Sequence, residues 1–151
     1  MSIEAILADK GITLPAAPAP AANYVPFVQT GNLVFVSGQI SQDEGGLIKG
    51  RLGDGMTVED GAAAARRCGL SLIAQLKAAV GDLDRVKRVV KLTGFVNSTP
   101  DFTDQPKVIN GCSDLMVEVF GDAGRHARAA VSAAALPLGV AVEVEAIFEV
   151  V

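Results

Sequence analysis

The clearest pattern in the chain is the alternation of hydrophobic and polar positions within residues 140–150, interrupted after Val142 only by Ile147 on the polar side. Every second residue from Val142 to Val150 is hydrophobic, and glutamates such as Glu143 and Glu145 lie between them. Successive side chains of a β-strand point to opposite faces of its sheet. The alternation therefore predicts a strand that buries one face and exposes the other.

Shorter hydrophobic runs predict the other strands. The runs Val25–Gln29 and Leu33–Ser37 flank the turn residues 30–32, so the two runs are predicted to pair as a hairpin. Further strands are predicted at residues 47–48, 86–97, 127–134 and 140–150, the last two joined by a turn at residues 136–139.

Two segments repeat hydrophobic residues at helical spacing. In the first, Thr57 can cap the first turn, with Asp60 at the acidic position of a capping box, and Gly81 can end the helix. The second helix is predicted over residues 103–120. The resulting order, β-β-(β)-α-β-α-β-β, favours a two-layer α+β domain with both helices on one face of a single sheet.

Residues 1–20 differ in character from the rest of the chain. Residues 2–10 are predicted to form a short helix. The segment that follows is rich in Pro and Ala and is predicted to be extended, because proline disfavours helix in the residue before it. We therefore treat residues 1–20 as an N-terminal extension and residues 21–151 as one domain.

Composition narrows the classes of function. Half of the 151 residues are hydrophobic and 20% are charged, which is typical of a well-filled core. The net charge of −4 makes nucleic acid a poor partner, because an acidic chain repels phosphate backbones. No secretory signal or membrane-spanning run is visible, and Cys68 and Cys112 are interpreted as buried, reduced thiols. We therefore expect a cytoplasmic protein without a membrane partner.

Most catalytic motifs are absent from the sequence. The single histidine, His126, cannot build a two-histidine site and is interpreted as a loop residue. The glycine-rich residues 42–55 lack the Gly-Lys-Ser/Thr ending of a phosphate-binding loop. The basic run at residues 85–91 has no interleaved aromatic residues and is interpreted as a solvated strand start. With two cysteines and no CxxC pair, we expect no metal and no nucleotide cofactor.

One charged pair remains as a candidate for chemistry. Arg128 begins one C-terminal strand and Glu143 lies in the next, so pairing of these strands would bring the two side chains to one face. Arginine holds a carboxylate through two parallel hydrogen bonds, and a glutamate beside it could position a water. Spacing alone favours a surface or interface salt bridge over catalysis.

Three separated motifs resemble the RidA (YjgF) family. They are Tyr24 with the later run Val36-Ser-Gly-Gln-Ile40, the segment Arg88 to Asn97, and His126-Ala-Arg-Ala-Ala-Val131 followed by Leu136-Pro137 and Val142 to Ile147. They occur in the family's order. The resemblance covers roughly residues 20–151.

The resemblance implies a chorismate-mutase-like α+β fold with a mixed sheet, assembled as a homotrimer with clefts between subunits. It also implies hydrolysis of reactive enamines and imines such as 2-aminoacrylate to 2-oxo acids and ammonia, without a cofactor. Arg128 falls on the family's essential arginine, and Glu143 falls on its water-positioning glutamate. Tyr24 falls on the tyrosine that crosses the interface, and Ser37 and Gly38 fall on the serine–glycine pair of the cleft.

Three features depart from the family's pattern. Ala130 replaces a frequent cysteine, which leaves only its backbone N–H as a substrate contact. Asn110 and Ser113 are both candidates for the family's asparagine in the second helix, because residues 105–111 resemble an insertion. The extension, residues 1–20, is unmatched in short members of the family, so this longer branch can have a different substrate.

Two other functions stay open at the level of sequence. Arg128 would bind a carboxylate equally well in a non-catalytic module that senses a 2-oxo acid. Ribonuclease activity is often attached to the family. It ranks last because the chain is acidic and has one histidine.

Overall fold

A computed structural model describes residues 1–19 and 23–151, which form three α-helices and seven β-strands. The helices are α1 (Ile3–Asp9), α2 (Val58–Val80) and α3 (Gln105–Phe120). The strands are β1 (Phe27–Thr30), β2 (Leu33–Ile40), β3 (Gln42–Asp43), β4 (Gly46–Leu47), β5 (Val86–Asn97), β6 (Ala127–Ala133) and β7 (Val142–Val150). Short 3-10 turns lie at Leu83–Arg85, Gly121–Gly124 and Pro137–Gly139.

Five of the strands form one mixed sheet in the order β1-β2-β7-β5-β6. Strands β5 and β6 run parallel, and the other neighbours in this sheet are antiparallel. The predicted N-terminal hairpin is confirmed as β1–β2. Strands β3 and β4 form a separate small hairpin in the glycine-rich segment, so the edge strand predicted at residues 47–48 belongs to that hairpin.

The last two strands of the chain do not pair with each other. Strand β5 lies between β6 and β7, so the turn at Pro137–Gly139 does not join neighbouring strands. The reason is the connection between β5 and β6. It runs through α3 as a parallel crossover and places β6 at the edge of the sheet.

Helices α2 and α3 pack on the same face of the sheet, which confirms the predicted two-layer α+β architecture. The alternating hydrophobic residues of β7, from Val142 to Val150, are buried on this face, as predicted. Cys68 and Cys112 are free thiols in the same core. A Cβ at Gly111 would overlap the backbone carbonyl of Ala62, so the close approach of α3 to α2 requires glycine there.

The ends of α2 lie where the sequence predicts them. Thr57 Oγ1 accepts a hydrogen bond from the backbone N–H of Asp60 at 3.1 Å and caps the first turn. Gly81 follows the last turn with a φ of 81°, a conformation that favours glycine. Within residues 1–19 and 23–151, no helix is both long enough and apolar enough to cross a membrane.

Candidate active site

Arg128 lies on β6 and is held by α3. Its Nη1 donates to Asn110 Oδ1 at 2.8 Å and to Ser113 Oγ at 3.1 Å, and its Nη2 donates to the Pro106 carbonyl at 3.3 Å. Asn110 and Ser113 are three residues apart in a helix and therefore share one face. The sequence presents these two residues as alternatives, whereas the structure brings both to Arg128.

These contacts leave one edge of the Arg128 guanidinium available. A guanidinium has five N–H donors, and within the described residues three of them are used. The remaining two are on Nε and Nη2. These adjacent nitrogens form the fork by which arginine holds both oxygens of a carboxylate. Because α3 fixes Nη1, the free edge is oriented before any ligand arrives.

His126 extends this cluster, although the sequence places it as a loop residue. Its Nδ1 lies 2.6 Å from the Gly124 carbonyl, which can only accept, so Nδ1 carries a proton. In the neutral ring Nε2 is then an acceptor, and Ser113 Oγ lies 2.8 Å from it. The Ser113 hydroxyl therefore links His126 to Arg128. This placement of His126 could have been inferred from its position two residues before Arg128, because side chains two residues apart in an extended segment point to the same side.

Glu143 lies on the opposite face of the sheet. Its cross-strand partners are Ile40 on β2 and Phe95 on β5, and Phe95 pairs in turn with Val131 on β6. Directly opposed residues in a sheet point to the same face, so these four side chains form one row. Val131 is 45% exposed, which identifies the face of this row as the one without helices.

Arg128 belongs to a row that faces the helices. It pairs with Leu92, which pairs with Ala146, and both of these partners are buried in the core. Arg128 and Glu143 are two strand spacings apart across the sheet, which is about 10 Å. They are also three residues apart along the strands, which is again about 10 Å. The expectation that neighbouring strands would bring Arg128 and Glu143 to one face therefore does not hold within one chain.

Glu143 instead opens onto a cavity of about 780 Å³. Tyr24 and Gly38 line the same cavity, so three of the predicted site residues surround one space. Pro18 and Ala19 of the N-terminal extension form part of its wall, and Leu138 of the last turn forms another part.

A bulge in β2 shapes the side of this cavity nearest Glu143. The register of β2 against β7 shifts at Ser37 and Gly38, the predicted serine–glycine pair. Bulges of this kind are frequent next to active sites, where they redirect side chains. A Cβ at Gly38 would overlap Oε2 of Glu143, so only glycine leaves the carboxylate in its present place.

Ser37 holds the segment that carries Tyr24. Its Oγ donates to the Val25 carbonyl at 2.8 Å, and its backbone N–H donates to the Pro26 carbonyl at 2.9 Å. The side chain of Tyr24 is 48% exposed at the rim of the cavity. Ser37 thus acts on the site through the backbone, as an anchor for the residues next to Tyr24.

The environment of Glu143 disfavours its charged form. Burial raises the pKa of the Glu143 carboxyl above its ordinary value, and the negative charge of Glu145 raises it further. Among the described residues, no hydrogen bond or ion pair satisfies this carboxylate. Glu143 is therefore an available proton acceptor at the edge of an apolar space.

The other candidate residues lie outside the two clusters or have local partners. Ala130 lies on β6, opposite Gly94 of β5, and does not line the Glu143 cavity. In the basic run, Arg85 donates to the Val151 and Val80 carbonyls, Arg88 donates to the Arg125 carbonyl, and Lys87 pairs with Glu149. Across residues 1–19 and 23–151, no three His, Cys, Asp or Glu side chains are grouped to hold a metal ion.

Comparison with protein families agrees with the fold and the motifs. The model of the family described as "YjgF/chorismate_mutase-like, putative endoribonuclease" matches residues 4–150. The chain therefore belongs to the YjgF/RidA family.

Three known proteins illustrate the range of similarity. Protein TCP17 of Trypanosoma cruzi is 56% identical over 149 residues, which are 97% of this chain and 93% of TCP17. The crystal structure of Atu1372, a protein of unknown function from Agrobacterium tumefaciens, is 47% identical with a TM-score of 0.91 over 99% of this chain and 92% of its own. Escherichia coli TdcF, solved with bound serine, is 28% identical with a TM-score of 0.64 over 88% of this chain and 92% of its own. The likeness to Atu1372 includes the N-terminal extension.

Proposed function

We propose that the protein hydrolyses small reactive enamine or imine carboxylates to 2-oxo acids and ammonia, without a cofactor. The observation that carries this proposal is that the chain contains two groups with complementary chemistry, an arginine with free donors and a carboxylate that can accept a proton. The free edge of Arg128 suits a carboxylate, and the carboxylate of Glu143, which has no polar partner among the described residues, suits a water proton.

Hydrolysis of an imine carboxylate requires a group that binds the carboxylate and a group that accepts a proton from water, and Arg128 and Glu143 can serve these two roles. Arg128 holds the substrate carboxylate, and Glu143 accepts a proton from water as its oxygen bonds to the imine carbon. The C=N bond becomes a C–N single bond as the nitrogen takes the proton that Glu143 received from the water, and the new hydroxyl group supplies the second proton as the C–N bond breaks. Collapse of this adduct forms the C=O bond of the 2-oxo acid, and the nitrogen leaves as ammonia. Such imines hydrolyse unaided in water, so positioning of one water supplies much of the required acceleration.

We further propose that the site is completed between subunits of a homotrimer. Arg128 and Glu143 lie on opposite faces of the sheet in one chain, so one chain cannot apply both to one substrate. A neighbouring subunit would supply the missing half. The family resemblance favours the same arrangement, with Tyr24 contributed across the interface.

The face of the sheet without helices supports assembly. Val28 is 53% exposed and Phe35 is 40% exposed; the two are paired across β1 and β2, and Phe35 also pairs with Ile147. Val131, 45% exposed, lies on the same face as Glu143. Exposed apolar side chains that share one face in this way are typical of protein–protein contacts.

A non-catalytic binding module is the second candidate. TdcF was solved with bound serine, and serine carries a carboxylate that the Arg128 fork would also fit. A module that only senses such a ligand needs Arg128 but does not need an ionised Glu143 beside the substrate. The two candidates therefore differ in what they require of Glu143.

Turnover of freshly generated imines tests the proposal. An amino-acid oxidase produces 2-imino acids in place, and the release of ammonia and 2-oxo acid is followed with and without the protein. We expect a faster release with the wild-type protein and none of this acceleration with Arg128→Ala. If the wild-type protein binds 2-oxo acids but never accelerates release, the binding module is the correct candidate.

A further inference from the structure

The N-terminal extension is packed into the domain rather than appended to it. Leu7 of α1 is 4% exposed and belongs to the core, and Glu4 pairs with Lys77 of α2 at 2.8 Å. The backbone N–H of Ile3 donates to Asp84 Oδ1 at 2.8 Å. These contacts fix the start of the extension on the helical layer, so its later residues have a defined path.

A buried amide holds the end of this path beside the cavity of Glu143. Gln75 of α2 is only 2% exposed, and its Nε2 donates to the Pro18 carbonyl at 2.6 Å. A buried side-chain amide needs a hydrogen-bond partner, and the extension supplies it. Pro18 and its neighbour Ala19 then line the cavity that contains Tyr24 and Glu143.

The cavity lining also includes an exposed leucine in a strained conformation. Leu138 has φ 60° and ψ 13°, a left-handed conformation that costs a leucine free energy, and its side chain is 63% exposed. Backbone strain of this kind is concentrated at functional sites. The strained residue carries an exposed apolar side chain that lines the cavity, so a ligand bound there could contact it.

Apolar residues form the larger part of the cavity lining, and Gln39, Gln42 and Gln75 contribute polar groups beside Glu143. Beyond Pro18, Ala19 and Leu138, the apolar wall includes Pro26, Ile40 and Pro137. Within one chain the cavity of about 780 Å³ is larger than a substrate as small as 2-aminoacrylate would fill. A longer apolar side chain would gain from contact with this wall.

We propose that Pro18, Ala19 and Leu138 form the substrate's side-chain pocket, and that the preferred substrates are imines with an apolar side chain of about the size of that of leucine or methionine. This inference rests on the proposed function, because it assigns the side chain of the same substrate. The extension thereby becomes a determinant of specificity, with Gln75 as the residue that positions it.

The test compares imines generated from leucine and from alanine and uses the ratio of their kcat/KM values. For the wild-type protein we expect a ratio of at least about ten in favour of the leucine-derived imine. Leu138→Ala removes apolar contact and should lower the ratio several-fold. Val151→Ala, at another exposed aliphatic residue that does not line the cavity, should leave the ratio unchanged.

Gln75→Leu tests the extension separately. It keeps a side chain of similar volume but removes the hydrogen bond to Pro18. Because Gln75 also lines the cavity, the apolar surface of leucine would by itself raise the ratio, so the fall in the ratio that we expect reports displacement of the extension. Thermal unfolding checks that the variant is folded. If Gln75→Leu unfolds, the kcat/KM ratio of the Leu138→Ala variant alone tests the side-chain pocket.

The outcomes separate this inference from the proposed function. Turnover with a ratio near one, or with a ratio that Leu138→Ala does not change, overturns the side-chain pocket and leaves the deaminase proposal in place. No turnover of any imine by the wild-type protein overturns both.

Discussion

Arg128 makes three hydrogen bonds to α3, whereas Glu143, on the other face of the same sheet, has no polar partner among the described residues. In the first region the side chains of Asn110, Ser113 and His126 form a hydrogen-bonded cluster with Arg128. The second is a bulge, a glycine and an apolar cavity around a half-buried carboxylate.

The difference shows what each region contributes. The Arg128 cluster is oriented in advance, so little ordering is required when a carboxylate binds. The Glu143 cavity holds a carboxylate whose burial is not compensated by a polar partner in the described part of the chain, and groups of this kind are concentrated at functional sites. Neither region is a complete site, and together they contain an anion-binding group and a proton acceptor.

The largest effect is expected at Arg128. Arg128→Ala should weaken binding of pyruvate or 2-oxobutyrate about a hundredfold or more, because a charge-assisted pair is lost. Arg128→Lys should not restore binding, since lysine lacks the fork. Calorimetric titration measures the affinity, and thermal unfolding checks that the fold is retained. Arg88→Ala, which removes an exposed arginine of β5, is the matched control. Near-wild-type binding by Arg128→Ala would remove Arg128 from the site.

Glu143→Gln should retain binding of 2-oxo acids and slow turnover about a hundredfold or more, because glutamine cannot accept the water proton. The same change should raise the unfolding temperature at neutral pH. A carboxyl whose pKa is raised by folding binds its proton more tightly in the folded chain, so its contribution to stability is lost as the pH rises through that pKa. A variant with unchanged turnover would make Glu143 structural.

Ser113→Ala is expected to have a smaller effect. It removes the hydroxyl that joins Arg128 to His126, which costs about tenfold in KM for a bond to a charged donor, with little change in kcat. His126→Ala should raise KM less, because it acts on Arg128 only through Ser113. Steady-state kinetics separates the two parameters. A loss confined to kcat would contradict this positioning role.

Glu145→Gln should change the pH dependence and little else. Glu143 must be ionised to accept a proton, so activity falls as the pH falls through its pKa. The charge of Glu145 raises the pKa of Glu143, and removing that charge should shift the acid side of the kcat profile to lower pH. A profile shifted to higher pH, or not at all, would show that the charge of Glu145 does not raise the pKa of Glu143 during turnover.

The sequence predicts local features of the fold well and its long-range arrangement less well. The alternation over Val142 to Val150 and the cap at Thr57 are set by neighbours in the chain, and both are confirmed. The position of β5 between β6 and β7 depends on a crossover through α3, which periodicity does not report. The contact of the extension with the cavity depends on Gln75, whose partner is 57 residues away.

Mixed assemblies of two inactive variants test the shared site most directly. Arg128→Ala and Glu143→Gln chains are unfolded, mixed in equal amounts and refolded, and imine turnover is compared with that of each variant refolded alone. If each site combines Arg128 of one subunit with Glu143 of the next in a cyclic trimer, every mixed trimer contains one intact site, and the mixture recovers about a quarter of wild-type activity. A mixture no more active than the two separate variants would contradict a site shared between subunits.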